Sequence, residues 1–365
     1  MSNQKVMLVF GSGATVGSNF KVDYNGKRWQ PPMDRNFFET PLVQALFTEE
    51  RYPALSWYQR RPSLEETWSV VDLHAKLAYG NVISEEEAYQ RCDESMRQRA
   101  TMDPSYRLKL ERERTLWRVP GMAGWEIREL VLQTYGEIRE PDPNDSPLKT
   151  IIEAIRNRDI LCGIVSFNYD TSVERLLSDQ LVYVIPGRSD DPPEGKIPLY
   201  KLHGSLNWRE SPSRIEPKGV DDPAPVEMNF RSDGSWLQPS IIGPTLFKQE
   251  IAVDFQQNES ALFYKRLWRM CWDTLREVDA LVFIGFSFPS TDFHIRALFE
   301  SIHRVRPFRR VLMCTMGDED AFGKGRGVFP GARIVHLGGG IADMANRVGE
   351  VMGFLTGTDR EFVQT

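Results

Sequence analysis

The sequence predicts an α/β fold, a parallel sheet with helices on both faces and an inserted helical subdomain. Six short apolar runs are bounded by glycine or polar turns, and they are continuously apolar rather than alternating. Strands buried on both faces of a parallel sheet have this pattern. Helical patterns, not tight hairpin turns, separate the runs. The runs are Val6–Phe10, Ile160–Ser166, Ile197–Leu202, Ala280–Gly285, Arg310–Met316 and Arg333–Leu337.

Three helices between or after these runs are marked by their sequence. The first extends over about Ser146–Asn157, where serine is a common N-cap and the following proline fits the first turn. The second covers Asn258–Val278, and the third covers Ile341–Phe354. The alternation of strands with helices is what an α/β sheet requires.

A segment that contains only helical patterns interrupts this alternation and predicts the inserted subdomain, residues 51–139. Ser-x-x-Glu motifs that begin at Ser63 and Ser84 match the capping box of helix N-termini. The remaining residues, 1–50 and 140–365, would form the sheet domain.

Two stretches are less regular. Glu85–Arg118 is rich in charge with Met and Leu interspersed, which predicts an exposed helical pair or a surface for a partner. Glu210–Ser235 carries many Pro, Asp and Ser residues and is too long for an ordinary connection, so we expect a flap or a disordered loop.

Composition favours a globular protein that is not a general nucleic-acid binder. With 365 residues, 41% of them hydrophobic, the chain can bury a sizeable core. The formal net charge of −6 opposes nucleic-acid binding, because phosphate neutralisation needs an excess of Lys and Arg. The longest apolar run, Ala280–Phe286, is far below the ~20 residues that cross a bilayer. We therefore expect a cytoplasmic protein without direct nucleic-acid or membrane contacts.

The four cysteines, Cys92, Cys162, Cys271 and Cys314, are far apart in sequence. No Cys-x-x-Cys pair is present to build a tetrahedral thiolate site, so we expect no structural metal. The thiols are expected to be reduced and mostly buried.

The first motif with chemical meaning is Gly11–Gly17, Gly-Ser-Gly-Ala-Thr-Val-Gly, directly after the first predicted strand. Glycines there allow the backbone to approach a pyrophosphate, whose charge is met by N–H groups, as in Rossmann-type dinucleotide sites. A tight turn between strand and helix would also use glycine. The position at the carboxyl end of a buried strand favours nucleotide binding.

Four further motifs also follow predicted strands. Residues in or next to these motifs also have a purely structural explanation. Thr171-x-x-Glu174 matches a capping box, and Asp292 fits a helix N-cap. A single histidine is more often a structural residue than a catalytic base. Ligands of open α/β sheets bind at the carboxyl ends of the strands, so the shared location carries more weight than any one motif. The motifs are Ser166-Phe167-Asn168-Tyr169-Asp170, Lys201-Leu202-His203-Gly204-Ser205, Gly285-Phe286-Ser287-Phe288-Pro289 and Gly338-Gly339-Gly340.

In this order, the glycine loop, Asn-Tyr-Asp, Lys-Leu-His-Gly-Ser and Gly-Phe-Ser-Phe-Pro make the chain resemble a sirtuin, and more closely the bacterial sirtuin-like NADases of antiphage defence. The resemblance spans Val6 to about Phe354. It implies a Rossmann-like catalytic domain with Asn168 and His203 as the catalytic pair. The cofactor-binding residues expected with it are Gly11, Ser12, Gly13, Thr15, Asp34, Asp170, Gly285, Ser287 and Gly338.

NAD is the substrate that the resemblance implies. Gly11, Ser12 and Gly13 would then lie at the phosphates. Gly285 and Ser287 would lie near the adenosine ribose, and Asp170 would lie on the nicotinamide side.

The chain departs from the deacylase pattern in three places. The paired cysteines of the sirtuin zinc ribbon are missing. The stretch Pro31–Phe37, which contains Asp34, is only loosely similar to the family's Pro-Asp-Phe-Arg segment. Cys314-Thr315 stands where deacylases usually carry an asparagine near the adenosine ribose.

The activity implied by the resemblance is hydrolysis of NAD at the nicotinamide–ribose bond, used in antiphage defence to deplete NAD. A protein deacylase or an ADP-ribosyltransferase would use the same pair with another acceptor, and a non-catalytic NAD-sensing module would bind without turnover. A dehydrogenase fits less well, because it usually carries an acidic residue about 20 residues after the glycine loop on a second strand. The expected partners are NAD and, in addition, further copies of the chain, a separate defence component such as a HerA-type ATPase or an Argonaute-like protein, or both.

Overall fold

A computed structural model describes residues 4–58, 63–79, 123–124, 126–136, 138–139, 146–188, 192–211, 214–219, 238–243, 259–289, 292–316 and 319–358. The strands are β1 Val6–Phe10, β2 Lys21–Tyr24, β3 Lys27–Trp29, β4 Ile138–Arg139, β5 Leu161–Ser166, β6 Leu181–Tyr183, β7 Ile197–Lys201, β8 Gly204–Ser211, β9 Arg214–Pro217, β10 Gln238–Ile241, β11 Ala280–Ile284, β12 Arg310–Cys314 and β13 Arg333–Leu337. The α-helices are α1 Ser12–Gly17, α2 Pro41–Leu46, α3 Leu64–Tyr79, α4 126–136, α5 Pro147–Arg156, α6 Ser172–Leu177, α7 Glu259–Leu275, α8 Phe293–Val305, α9 Glu319–Val328, α10 Gly340–Asn346 and α11 Val348–Thr356.

The predicted α/β class is confirmed. Over the described residues, seven strands form one sheet in the order β13-β12-β11-β1-β5-β7-β6, and every neighbouring pair is parallel. All six predicted runs are strands of this sheet, with ends that differ by no more than two residues. The seventh strand, β6, was not predicted because its three half-buried residues at the sheet edge are too short for a recognisable apolar run.

The central strands are buried on both faces. In β1, Met7 and Val9 belong to an aromatic-rich core cluster, whereas Leu8 and Phe10, equally buried, lie outside it because neighbouring side chains alternate between faces. Phe283 of β11 stands in the same cluster, which α7 and α8 cover. Helix α5 packs against α10 and α11.

Two predicted helices have different outcomes. Ser146 is the N-cap of α5 and its side chain accepts a hydrogen bond from the Lys149 N–H, as the sequence predicted. The single helix predicted over Ile341–Phe354 is wrong. Arg347, with φ −103° and ψ 24°, ends α10 and begins α11, and this break allows both helices to pack against α5.

The chain forms two compact units. One consists of Met1–Met33, Tyr135–Ile242 and Gln249–Thr365, and the other of Asp34–Thr134 and Gly243–Lys248. The predicted domain boundaries, 51 and 139, stay predictions. Residues 80–122, which include Ser84 and the charged stretch Glu85–Arg118, lie outside the described residues.

Within the second unit, polar side chains hold helix ends and turns. Ser63 Oγ accepts a hydrogen bond from Glu66 N at 3.2 Å, which is the serine half of the predicted capping box. The Glu126 carboxylate accepts from the N–H groups of Ala54 (3.2 Å) and Leu55 (2.6 Å). Burial raises the pKa of the Glu126 carboxyl, and these two hydrogen bonds oppose that effect.

Two small antiparallel sheets lie in the first unit, in the orders β3-β2-β4 and β10-β8-β9. The prediction of helices alone up to residue 139 is therefore wrong at its end, because β4 pairs with β2. Of the predicted flap Glu210–Ser235, the end of β8 and strand β9 form a regular pair, and residues 220–237 lie outside the described ones.

Among the helices of the described ranges, none is long and apolar enough to cross a membrane.

Candidate active site

Four of the predicted motifs lie in loops at the same edge of the sheet. Strands β11, β1, β5 and β7 are consecutive parallel neighbours, so their carboxyl ends lie side by side. The loops after these strands begin at Gly285, Gly11, Phe167 and Leu202. The fifth motif, at Gly338, follows β13 at the far end of the sheet order.

The glycine loop packs directly against the loop after β11. Gly11 N donates to Ile284 O at 3.1 Å, and Gly13 N donates to Gly285 O at 3.1 Å. Gly285 has φ +62°, and a Cβ there would overlap the backbone of Gly13 and Ala14. Loop packing therefore gives these glycines a structural reason of their own. The predicted phosphate contacts of Gly11, Ser12 and Gly13 stay predictions.

Asn168 is held by the glycine loop. Its Nδ2 donates to Gly11 O at 2.9 Å and to Thr15 Oγ1 at 3.3 Å. The Thr15 hydroxyl donates in turn to Asp170 Oδ2 at 2.9 Å, and Asp170 Oδ1 accepts from Ser172 N at 2.9 Å. These two hydrogen bonds engage the Nδ2 donor of Asn168. The atom of this side chain that remains for a ligand is therefore Oδ1, which accepts hydrogen bonds.

A buried ion pair supports the same loop. Lys201, 1% exposed, donates from Nζ to Asp170 O at 2.5 Å and lies 3.3 Å from Glu174 Oε1. Tyr183 OH donates to Glu174 Oε1 at 3.0 Å and accepts from Asn207 Nδ2 at 2.9 Å. Burial raises the pKa of the Glu174 carboxyl, while the Lys201 charge opposes this rise.

The predicted capping box at Thr171-x-x-Glu174 is wrong. Thr171 occupies the N-cap of α6, but its side chain makes no capping hydrogen bond. The Asp170 carboxylate takes that role by accepting from Ser172 N. Glu174 is committed to Lys201, because a buried ammonium group needs an anion beside it.

His203, 4% exposed, lies among aromatic rings. Its ring centroid is 5.2 Å from that of Phe167 and 6.4 Å from those of Tyr169 and Trp268. Its Nε2 lies 3.3 Å from His294 Nε2. The imidazole is thus fixed in orientation, with one nitrogen directed at a second histidine.

The glycine after His203 is required by the fold. Gly204 has φ +81°, and a Cβ there would overlap Ser240 O and the Tyr264 hydroxyl. The close approach of β10 therefore explains the His-Gly pair without a ligand.

Two residues near His203 were not predicted as site residues. Asp292 was predicted to cap the next helix, and it does occupy the N-cap of α8, but its side chain makes no capping hydrogen bond. Instead, Asp292 Oδ1 lies 3.9 Å from His294 Nε2. The signal in the sequence is an Asp-x-His that follows the Gly-Phe-Ser-Phe-Pro motif after two further residues. It lies about 90 residues from His203 along the chain, so no local pattern links the two.

Ser287 and Gly338 have looser surroundings. Ser287 is exposed, between two buried phenylalanines. Gly338 is half-buried after β13, and a Cβ at this position would have His336 Cε1 as its nearest neighbour, at 3.9 Å. The predicted contacts of both residues with NAD stay predictions.

Asp34 belongs to the second unit and caps a helix there. Its Oδ1 accepts from Glu65 N and its Oδ2 accepts from Ser63 Oγ, both at 2.9 Å, at the start of α3. This is a structural role that the sequence did not suggest.

The described cysteines are poor ligands and nucleophiles. Burial raises the pKa of Cys162 and of Cys314 to about 12, and it also raises that of Cys271. Thiols with such pKa values stay protonated near neutral pH, so these three cysteines are not activated nucleophiles.

Residues 163–325 match a family model described as a SIR2-like domain. This SIR2-like segment begins inside β5 and contains Asn168, Asp170, His203, Gly285 and Ser287. It covers less than half of the chain, and the glycine loop after β1 precedes it. No curated protein gives a significant sequence match.

Solved Sir2 structures are similar to nearly the whole chain at low identity. A Sir2 homolog–NAD complex is 13% identical, with 97% of this chain and 91% of that chain covered and a TM-score of 0.43. Sir2Tm bound to a propionylated peptide is 11% identical over 97% and 95% of the two chains, with a TM-score of 0.39.

We expect Lys201→Met to destabilise the protein by about 3–5 kcal/mol, because it leaves the Glu174 carboxyl buried without its cation. Lys201→Met combined with Glu174→Leu should restore much of that loss. Urea unfolding of both single variants and the double variant measures the effect. Simple additivity of the two single changes would contradict a coupled pair.

We expect Asp34→Ala to lower the free energy of unfolding by about 1 kcal/mol through loss of the α3 cap. The affinity for NAD should not change, because the Asp34 carboxylate is already engaged at the start of α3. Urea unfolding and calorimetric titration with NAD on the same preparation separate the two roles. A weaker affinity for NAD with unchanged stability would instead support the cofactor contact.

Proposed function

We propose that this chain hydrolyses NAD at the bond between nicotinamide and ribose, giving nicotinamide and ADP-ribose. The observation that carries the proposal is the placement of Asn168 and His203 after neighbouring parallel strands, within the SIR2-like segment. The rings of Phe167 and Tyr169, on either side of Asn168, both lie near the His203 ring. These ring contacts support assigning Asn168 and His203 to one crevice beside the glycine loop.

Cleavage of the nicotinamide–ribose bond needs few catalytic groups. The nicotinamide is cationic in NAD and leaves neutral, so its departure needs no general acid, and the transition state resembles an oxocarbenium ion. A water oxygen forms the new bond to the ribose carbon, and its proton passes to a base. His203 takes that proton on a ring nitrogen, while Asn168 Oδ1 accepts a hydrogen bond from a ribose hydroxyl or from the water.

The surroundings favour this chemistry. Rings of Phe167, Trp268 and Phe286 form one packed group beside His203. Apolar rings exclude water, and the electrostatic interactions that stabilise charge in the transition state are stronger where water is excluded. The hydrogen bonds to Gly11 and Thr15 hold Asn168 in place before a ligand arrives.

Two related activities use the same pair. In a protein deacylase an acyl-lysine oxygen attacks the ribose carbon, and in an ADP-ribosyltransferase a nucleophile on another macromolecule does so. A non-catalytic NAD-sensing module would bind NAD and leave it intact. Product analysis separates all of these from hydrolysis, since only hydrolysis yields free ADP-ribose and nicotinamide in equal amounts without an acceptor.

We further propose a role in antiphage defence by NAD depletion, in the cytoplasm. An enzyme that drains NAD is toxic to a growing cell, so its activity must be gated. Self-assembly or a separate component, such as a HerA-type ATPase or an Argonaute-like protein, would supply the gate.

Asn168→Ala is expected to lower kcat for NAD cleavage by about 10²–10³, through loss of a transition-state hydrogen bond. His203→Ala is expected to lower it by about 10²–10⁴, through loss of the base. Nicotinamide and ADP-ribose are quantified by chromatography, and melting temperatures check the fold. Asn157→Ala and His74→Ala, at exposed positions, are the matched controls. Full activity in either site variant, with an unchanged melting temperature, would refute the assigned role.

Gating predicts low activity of the isolated chain that rises on assembly. NAD cleavage is measured against protein concentration, with and without co-expressed genomic neighbours, while light scattering reports the mass. A monomer with full activity that no neighbour alters would show that the gate does not exist.

A further inference from the structure

We propose that His203, Asp292 and His294 form a binding site for a divalent transition-metal ion of the Zn²⁺ type, and that the bound ion switches off catalysis. The second half of this inference rests on the proposed function, since it concerns the same histidine. The first half rests on the geometry of three side chains alone. Their possible ligand atoms all lie within 4.8 Å of one another.

The distances fit a tetrahedral ion. His203 Nε2 and His294 Nε2 are 3.3 Å apart, and His294 Nε2 is 3.9 Å from Asp292 Oδ1. Two nitrogens that are each 2.0–2.1 Å from a tetrahedral zinc ion lie about 3.3–3.4 Å apart. The two imidazoles therefore already have the required separation, and a small movement of the carboxylate would complete the set.

The donor types select the class of ion. Imidazole nitrogen suits Zn²⁺, Co²⁺ and related ions, whereas Mg²⁺ and Ca²⁺ prefer sites built from oxygen. A carboxylate partly neutralises the ion. Three protein ligands leave a fourth position for water, which is the coordination of an open zinc site rather than a closed structural one.

The three side chains are held in place and largely enclosed. His203 is 4% exposed, and the side chains of His294 and Asp292 are 11% and 14% exposed. The ring of His294 contacts that of Trp268 at 5.2 Å between centroids. Packing of this kind fixes the ligands before the ion binds, which metal affinity requires. The three candidate ligands are therefore enclosed, whereas acidic residues that cluster on a protein surface are exposed to water and free to move.

Two different loops supply the ligands. His203 follows β7, and its carbonyl oxygen accepts a hydrogen bond from Ile242 N at 2.9 Å. Asp292 and His294 begin α8, where Asp292 N donates to Pro289 O at 3.1 Å. The expectation of no metal considered cysteine ligands alone, and it does not bear on histidines that only the folded chain brings together.

Metal binding would inhibit the proposed reaction. The lone pair on His203 Nε2 cannot bind an ion and accept a proton from water at the same time. The ion would leave the fold unchanged and hold His203 in its unprotonated, coordinated form. Zn²⁺ is therefore expected to inhibit reversibly, and a chelator is expected to restore activity.

The test uses the untagged full-length chain after treatment with EDTA and desalting. Calorimetry with Zn²⁺ and visible absorption with Co²⁺ measure binding without any reference to NAD. We expect one equivalent of either ion, with Co²⁺ bands typical of a tetrahedral site. His294→Gln and Asp292→Asn should each weaken binding on the order of tenfold or more. His74→Gln and Asp320→Asn, an exposed histidine and an exposed aspartate, should bind as the unmodified chain does.

The outcomes separate the two proposals. Absence of binding in the unmodified chain, or binding that neither site variant weakens, would overturn the metal site whatever the activity. Binding without NAD cleavage by the metal-free protein would leave the site standing and remove the proposed function. Binding together with equal NAD cleavage in the loaded and metal-free protein would overturn the inhibitory role. Inhibition that Asp292→Asn relieves in parallel with its weaker binding would support both halves.

Discussion

The buried Lys201 ammonium is the constraint on which the candidate site depends. A charge almost removed from water must be met by other polar groups, and the chain meets it with the Glu174 carboxyl and the Asp170 carbonyl oxygen. One side chain thereby ties the end of β7 to the loop after β5 and to α6. Because Asn168 lies in that loop and His203 lies two residues after Lys201, the same contact fixes the relative position of the two proposed catalytic residues.

The glycine-rich loop has a structural role in addition to its proposed role in ligand binding. Its first and third residues donate backbone hydrogen bonds to the last residue of β11 and to the loop that follows, and its Gly11 carbonyl oxygen and Thr15 hydroxyl hold Asn168. A glycine loop at a strand end is often interpreted only as a phosphate cradle. Here the same backbone also packs two loops together, so any nucleotide would bind to an edge that is already assembled.

His203 carries two proposed roles, as a proton acceptor and as a metal ligand. Its Nε2 faces a second imidazole and a nearby carboxylate, an arrangement that either shares a proton or coordinates an ion. Enclosure by aromatic rings favours both uses, since it strengthens electrostatic interactions and limits the motion of the ligands. In the proposed scheme the free concentration of the ion would decide between the two roles, because coordination and proton transfer use the same lone pair.

The sequence by itself determined the α/β class, six of the strands and the five motifs at strand ends, because continuous apolar runs and glycine turns are local features of the chain. It failed at β6, which is too short to carry a pattern, and at Thr171 and Glu174, where a buried lysine overrode a local capping preference. The tertiary structure alone decided that Asp34 caps α3 and that His294 meets His203. The physical reason is distance along the chain: a contact between side chains about 90 residues apart depends on the strand order, which no local pattern records.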